Sequence, residues 1–297
     1  MSLLQLRSFV EVYRQKSLSG AARSLGLTQP AISQHIAALE SAVGHPLFLR
    51  HAKGVSPTAS ADELAANLGD RLETAEAVLA QARARSSDMT GTVRIMGQAD
   101  FLAAMVVPLL MPLLQSGMQF HFRAVDREEM NAAFSDGQCD LAVSGYPLFN
   151  RKVRSELVHE EPLRAVAAPD VARHLMAQPD LATALGKEPV LAFDLEQRLI
   201  QSWLDVNDMG GERMRAAVTG QDLRSLQGLL LRGFGWSVLP HYLCGERIAA
   251  GELVEIAPPV TTPVNCYYLL WAPQILREPR VAVAHAQLRK AFRALSA

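Results

Sequence analysis

The 297-residue chain has only three cysteines, Cys139, Cys244 and Cys266, and their odd number and wide spacing exclude a disulfide framework. Three reduced thiols in apolar surroundings are the expectation. Apolar residues make up 49% of the chain, yet no run of about 18 of them occurs, so no membrane span is expected. The opening MSLLQLRSFVEVYRQ lacks the plan of a signal peptide, which points to the cytoplasm. There is no P-loop, no G-x-S-x-G elbow, no dinucleotide fingerprint after a strand and no metal-spaced His or Cys cluster. The eight histidines are scattered, so neither an enzyme, a metal site nor a catalytic cofactor is expected. Net charge is also missing, at −1 over the whole chain.

That near-neutral total hides an asymmetry. Residues 1–57 carry Arg7, Arg14, Lys16, Arg23, Arg50 and Lys53 against only Glu11 and Glu40, the local basic excess of a nucleic-acid partner. Inside this stretch SGAARSLGLTQPAISQHIAAL, residues 19–39, reads as a helix-turn-helix. Ala22 is small where helices cross, Gly26 suits a sharp turn, and Leu27 returns to the core. Thr28 can cap the second helix, Pro30 suits its first turn, and Ile32, Ile36 and Leu39 form its buried stripe. Gln29, Ser33, Gln34 and, at the edge, His35 are left to face outward, within reach of base edges or phosphates. Any helical hairpin with a glycine turn could share this pattern, so the flanks decide. Upstream, Leu3, Leu6, Phe9 and Tyr13 give an amphipathic covering helix. Downstream, Pro46 to Arg50, a Lys53-Gly54 turn and Val55 suggest a two-stranded wing.

The segments AARSLGLTQPAISQHIAALE and VGHPLFLRHAKGVSPT closely resemble those of the LysR-type transcriptional regulators, and the resemblance extends more weakly over the whole chain. It implies base or backbone contacts from Thr28, Gln29, Pro30, Ser33 and Gln34, with Arg23 and Arg50 close to phosphates of double-stranded DNA. Gln34 stands where family members often have Arg, and Ala61 where they usually have Gly. The fold implied is multidomain: a winged helix-turn-helix over residues 1–57, a linker helix and hinge over 58–90, and an α/β periplasmic-binding-protein-like effector domain over 91–297. Residues 91–161 and 267–297 would form lobe I and residues 162–266 lobe II.

Leu64, Leu68, Leu72, Ala75 and Leu79 recur at intervals of three and four, the seam of a two-helix coiled coil or of a helix packed on its own domain. The family resemblance favours the linker-helix homodimer, commonly assembled into a homotetramer, with RNA polymerase as a further partner. From residue 92 onward short apolar runs alternate with helical stretches, which argues for parallel strands. A helix is expected over residues 101–115, a strand from Leu163, and crossovers between lobes near residues 161–163 and 265–267.

In such a domain a small ligand binds where strand carboxyl ends and helix amino ends converge. The expected effector-binding positions are Gln98, Ala99, Asp100, Phe101, Asp126 and Ser144 in one lobe, and Phe193, Asp194, Thr219, Gln221 and Gly235 in the other. Asp100 and Asp222 could equally be helix caps, and Gly235 a tight turn. The stretches QADFLAAMVVPLL, PVLAFD and GQDLRSLQGLLLRGFGWSVLP resemble the branch that controls export of basic amino acids, the ArgP and LysG type, implying a lysine- or arginine-like effector. A solute-binding or enzymatic α/β protein, with the N-terminal part only an interaction module, is the alternative.

Overall fold

The structure is a computed structural model that describes residues 2–51, 54–68, 71, 72, 75, 78, 79, 91–148, 153–211 and 214–295. The chain divides into two compact units, residues 1–82 and 83–297. Among the described residues no helix is long and apolar enough to cross a membrane.

The elements of the first unit bounded among the described residues are α1 (Leu3–Gln15), α2 (Leu18–Leu25), α3 (Gln29–Val43), the hairpin β1 (Phe48–His51) and β2 (Gly54–Pro57), and α4 (Ala59–Leu68). Each start is signalled locally. Ser2 and Gln5 form a reciprocal capping box on α1, the Ser17 hydroxyl accepts from Gly20 N at 3.0 Å, and Thr28 Oγ1 accepts from Ala31 N at 3.3 Å. Gly26, at φ 63°, ends α2 in the left-handed conformation that glycine adopts without strain. Phe9, Val12, Ala21, Ala22, Ile32, Ile36, Leu39, Leu47, Phe48, Val55 and Ala61 make one core. Leu64 and Leu68 are half-buried against it.

The second unit is built on one nine-stranded sheet. Its strands are β3 (Thr92–Gly97), β4 (Gln119–Ala124), β5 (Leu141–Ser144), β6 (Arg154–Ala167), β7 (Val190–Ala192), β8 (Ala216–Thr219), β9 (Trp236–Pro240), β10 (Val254–Glu255) and β11 (Val264–Trp271). The order is β4-β3-β5-β11-β6-β9-β7-β8, with β10 also on β6. In lobe I, β3, β4 and β5 are parallel; in lobe II, β7, β8 and β9 are parallel. The 14-residue β6 belongs to both lobes. It pairs antiparallel with β11 as far as Pro162 and with β9 from Leu163, so the lobe boundary falls between those two residues.

Two differences from the sequence reading have physical causes. The stretch expected as one helix over residues 101–115 is instead α5 (Ala99–Phe101), a π-helical turn (Leu102–Val106), α6 (Val107–Leu109) and α7 (Met111–Gln115). Pro108 and Pro112 supply no N–H and crowd the preceding turn, so the hydrogen-bond ladder is interrupted. The strand expected from Leu163 begins at Arg154. Its first half, RSELVHEE, is half exposed with β11 along one edge, so it tolerates charged residues and does not read as a buried strand.

The remaining helices are α8 (Arg127–Ser135), α9 (Pro169–Met176), α10 (Leu181–Lys187), α11 (Arg198–Asp205), α12 (Leu223–Leu230), α13 (His241–Ala249) and α14 (Pro279–Leu295). Trp203 and Trp236 meet in the lobe II core with ring centroids 6.4 Å apart. On α14, His285 is buried with its ring edge to face with Trp271 at 4.4 Å. Burial, with Arg289 adding repulsion, pushes its imidazolium down to about 3, so it is neutral in the fold. In the unfolded chain it titrates near its ordinary value. Between those two values the unfolded state binds the extra proton, so stability falls as pH drops. Lowering the pH from 7 to 5 is expected to cost the second unit about 2 kcal/mol through His285. Urea titrations at the two pH values check this, and His285→Gln should remove most of the difference.

Candidate DNA interface and effector cleft

On the first unit Arg23, Thr28, Gln29, Pro30, Gln34 and Arg50 are exposed and Ser33 is half-buried. Lys53 lies outside the described residues. The Thr28 hydroxyl is engaged in the α3 cap. His35 is half-buried. Its Nδ1 is 2.8 Å from the Ser8 hydroxyl, and that hydroxyl gives its proton to the Leu4 carbonyl at 2.9 Å. Both contacts are satisfied with Nδ1 as the donor, and through it the side chain fastens α3 to α1. Glu40, which nothing in the local sequence marks, has an Oε1 that accepts from Leu47 N at 2.7 Å and Phe48 N at 3.1 Å. One carboxylate thus ties the recognition helix to the wing.

In the second unit the carboxyl ends of the parallel strands of both lobes point toward the β6 crossing. Gln98 and Ala99 follow β3, Ser144 ends β5, and Asn265 stands at the start of the antiparallel β11. A Cβ on Gly145 would lie 3.3 Å from Asn265 Nδ2 and 3.8 Å from Gln98 Oε1, so the backbone and two amide side chains converge there. From lobe II, Thr219 and Gln221 are exposed and Phe193 is half-buried. Asn265 was read only as a crossover, because nothing in its local pattern marks it.

Several expected effector residues have other partners. Phe101 is fully buried and stacked on Tyr267 with centroids 3.6 Å apart, beside Tyr242 and Phe292, so it is core. Asp126 caps α8, accepting from Glu129 N at 2.9 Å. Asp194 accepts from Arg198 N at 3.0 Å and pairs with Arg198 Nε at 2.7 Å. Asp222 caps α12, accepting from Ser225 Oγ at 2.6 Å and from Arg224 N at 3.1 Å; the Ser225 hydrogen bond above all holds its carboxyl below the usual range. Gly235 precedes β9, which runs parallel to β7, so its loop lies at the amino ends of the strands, away from the cleft. There its φ of 66° and its approach to the Pro189 carbonyl require glycine. The Ser144 hydroxyl is buried and accepts from Tyr146 N at 3.3 Å.

Asp100 is different. Its carboxylate is buried and reaches out of lobe I, accepting from Leu223 N at 3.1 Å and standing 3.3 Å from Arg224 Nε, both on α12 of lobe II. Burial pushes this carboxyl above its ordinary value; the Leu223 hydrogen bond opposes that, Asp222 adds to it, and Arg224 opposes it again. Glu161, also buried, sits at the crossing and makes a matching contact. Its Oε1 accepts from Tyr242 N at 2.7 Å near the start of α13, while Oε2 is 2.6 Å from His159 Nε2. Two buried acidic side chains of lobe I therefore each hold a first-turn amide of a lobe II helix.

The thiols carry no comparable chemistry. All three cysteines are free, and burial raises Cys139 and Cys244 to about 12, so both stay protonated near neutral pH.

Comparison with known proteins gives this arrangement a family. Residues 3–62 match the bacterial regulatory helix-turn-helix protein of the LysR family, and residues 86–293 match the LysR substrate binding domain. The regulator AbaB of Streptomyces antibioticus is 33% identical over 303 aligned positions, covering 98% of both chains. CrgA of Neisseria meningitidis, a LysR-type regulator of known structure, superposes with a TM-score of 0.62 at 19% identity, covering 98% of this chain and 99% of that one. Full-length LysG of Corynebacterium glutamicum, solved with bound effector Arg, gives 0.52 at 21% identity over 96% and 98%. The chain belongs to the LysR family of DNA-binding transcriptional regulators, with an effector-binding domain behind the helix-turn-helix.

Removing the Asp100 or Glu161 acceptor leaves a buried amide unpaired, at a cost of about 1–3 kcal/mol. Asp100→Ala should speed hydrogen exchange at the Leu223 amide by about tenfold or more, and Glu161→Ala at the Tyr242 amide. Exchange followed by NMR checks both, and unchanged protection would remove the cross-lobe role.

Proposed function

We propose that this regulator senses a small amphoteric metabolite of the lysine or arginine type in the cleft between its lobes. Asp100 carries the reading. It is a buried carboxylate at the cleft whose cationic neighbour, Arg224, is more than half exposed, so a ligand's ammonium or guanidinium group can take that neighbour's place. Gln98 and Asn265, which converge at Gly145 after β5, supply hydrogen-bonding groups. Asp126, Asp194 and Asp222 add little, since caps and Arg198 already engage them. LysG, which has the same fold, was solved with arginine as effector, and the ligand class proposed here agrees with it.

Ligand binding would alter lobe placement by differential affinity for the open and closed states, and so the spacing of paired DNA readers and access by RNA polymerase. The setting is the cytoplasm, and the protein acts as a regulator rather than an enzyme. A thermal-shift screen tests the effector. Arginine or lysine at a hundredfold excess over Kd should raise the Tm by about 5 °C or more, and Asp100→Asn should lose most of that rise. Stabilisation by aromatic or dicarboxylic acids with none from basic amino acids would overturn the reading.

Pairing of two copies through the helix after Thr58 belongs to the same proposal. Leu64 and Leu68 already lean on their own domain and Leu72 is buried, whereas Val78 and Leu79 are apolar and exposed on helical backbone. Leu79→Glu is expected to shift the protein toward monomer in sedimentation at micromolar concentration, with the melting of the second unit unchanged.

A further inference from the structure

The recognition helix α3, QPAISQHIAALESAV, contains no lysine or arginine. Base reading from it cannot use the commonest major-groove contact, a basic side chain on guanine O6 and N7. What it offers instead follows from its rotation. At about 100° per residue, Ile32, Ile36 and Leu39 define the buried side, and Pro30, Gln34, Ala37, Ala38 and Ser41 fall on the side opposite. All five of those residues are exposed. Gln34 lies in the middle of that row, and its neighbours there are short or apolar. Gln29 sits nearer the buried side at the helix start, Ser33 is half-buried, and His35 is held by Ser8. The phosphate-seeking charge stands off the helix, on Arg23 of α2 and Arg50 of the wing.

We infer that Gln34 is the central specificity-determining residue and that it reads an adenine. A glutamine amide presents one acceptor and one donor, the complement of adenine N6–H and N7, and it mismatches the paired acceptors of guanine. Pro30, Ala37 and Ala38 beside it give an apolar rim suited to thymine methyl groups, so the groove read by this helix is an A·T one. The backbone grip from Arg23 and Arg50 is indifferent to sequence and sensitive to salt. Choice of base and strength of hold are thus assigned to different elements.

The inference rests on the chain's being a DNA-binding regulator, and the test keeps the two apart. The full chain, with Gln34→Ala and Gln34→Arg variants, is used to select from duplexes randomised across a half-site, after thermal melting has shown all three folded. Wild type should enrich an adenine at one fixed position. Gln34→Arg should convert that position to guanine, and Gln34→Ala should reduce discrimination there about tenfold or more while general retention at low salt persists. A wild-type preference for guanine there, or base choice unmoved by either substitution, overturns the adenine assignment with DNA binding intact. Failure of the wild type to retain any duplex at low salt overturns both.

Discussion

The amide groups that open a helix have no partner within it, and this structure is organised around supplying one. Within the first unit the supply is local, from Ser2, Ser17 and Thr28. Across the second unit it is not. The first amide of α12 is held by Asp100 and the second by Asp222, and an early amide of α13 is held by Glu161. The two lobes are therefore joined by hydrogen bonds that lobe II needs for its own helices. Separating the lobes would expose those amides to water. Placement of the lobes and integrity of the helices are one problem in this molecule.

The same constraint explains which parts of the fold were legible in the sequence. The helix-turn-helix could be read because its signals are local: a cap, a glycine at positive φ and apolar residues three and four apart. The aspartates after strands had two readings for the same reason, since a cap and a ligand group call for the same side chain. Geometry decided for capping at Asp126 and Asp222, and for a pairing with Arg198 at Asp194. Gly235 was misplaced because strand direction cannot be read from a strand's own residues. Phe101 was misplaced because a residue just past a strand can turn inward as readily as outward, and here Tyr267 receives it. Asn265, Glu161 and Glu40 carry no local signature at all; each acts on groups far away in the chain or brought close only by the fold.

Charge is distributed in a way that whole-chain composition conceals. The basic excess gathers in residues 1–57 but leaves the recognition helix there bare of it. In the second unit the telling charges are buried and negative, and their partners are backbone amides as much as cations. One unit meets a polyanion through exposed side chains, and the other encloses carboxylates within its own framework.

β6 runs through both lobes without a break. A register shift against β11 leaves Val158 over in lobe I. From His159 to Ala167 the pairing is regular and side chains alternate between the two faces of the sheet, so across the crossing the lobes are locked in parity as well as in place. Inserting or deleting a single residue between His159 and Ala167 without a compensating bulge would turn one lobe's inward residues outward while the other stayed correct. Exchanging lobes between relatives to build a hybrid therefore requires that any change in the residue count across Pro162 and Leu163 be even, a rule of arithmetic that no loop-based junction has to obey.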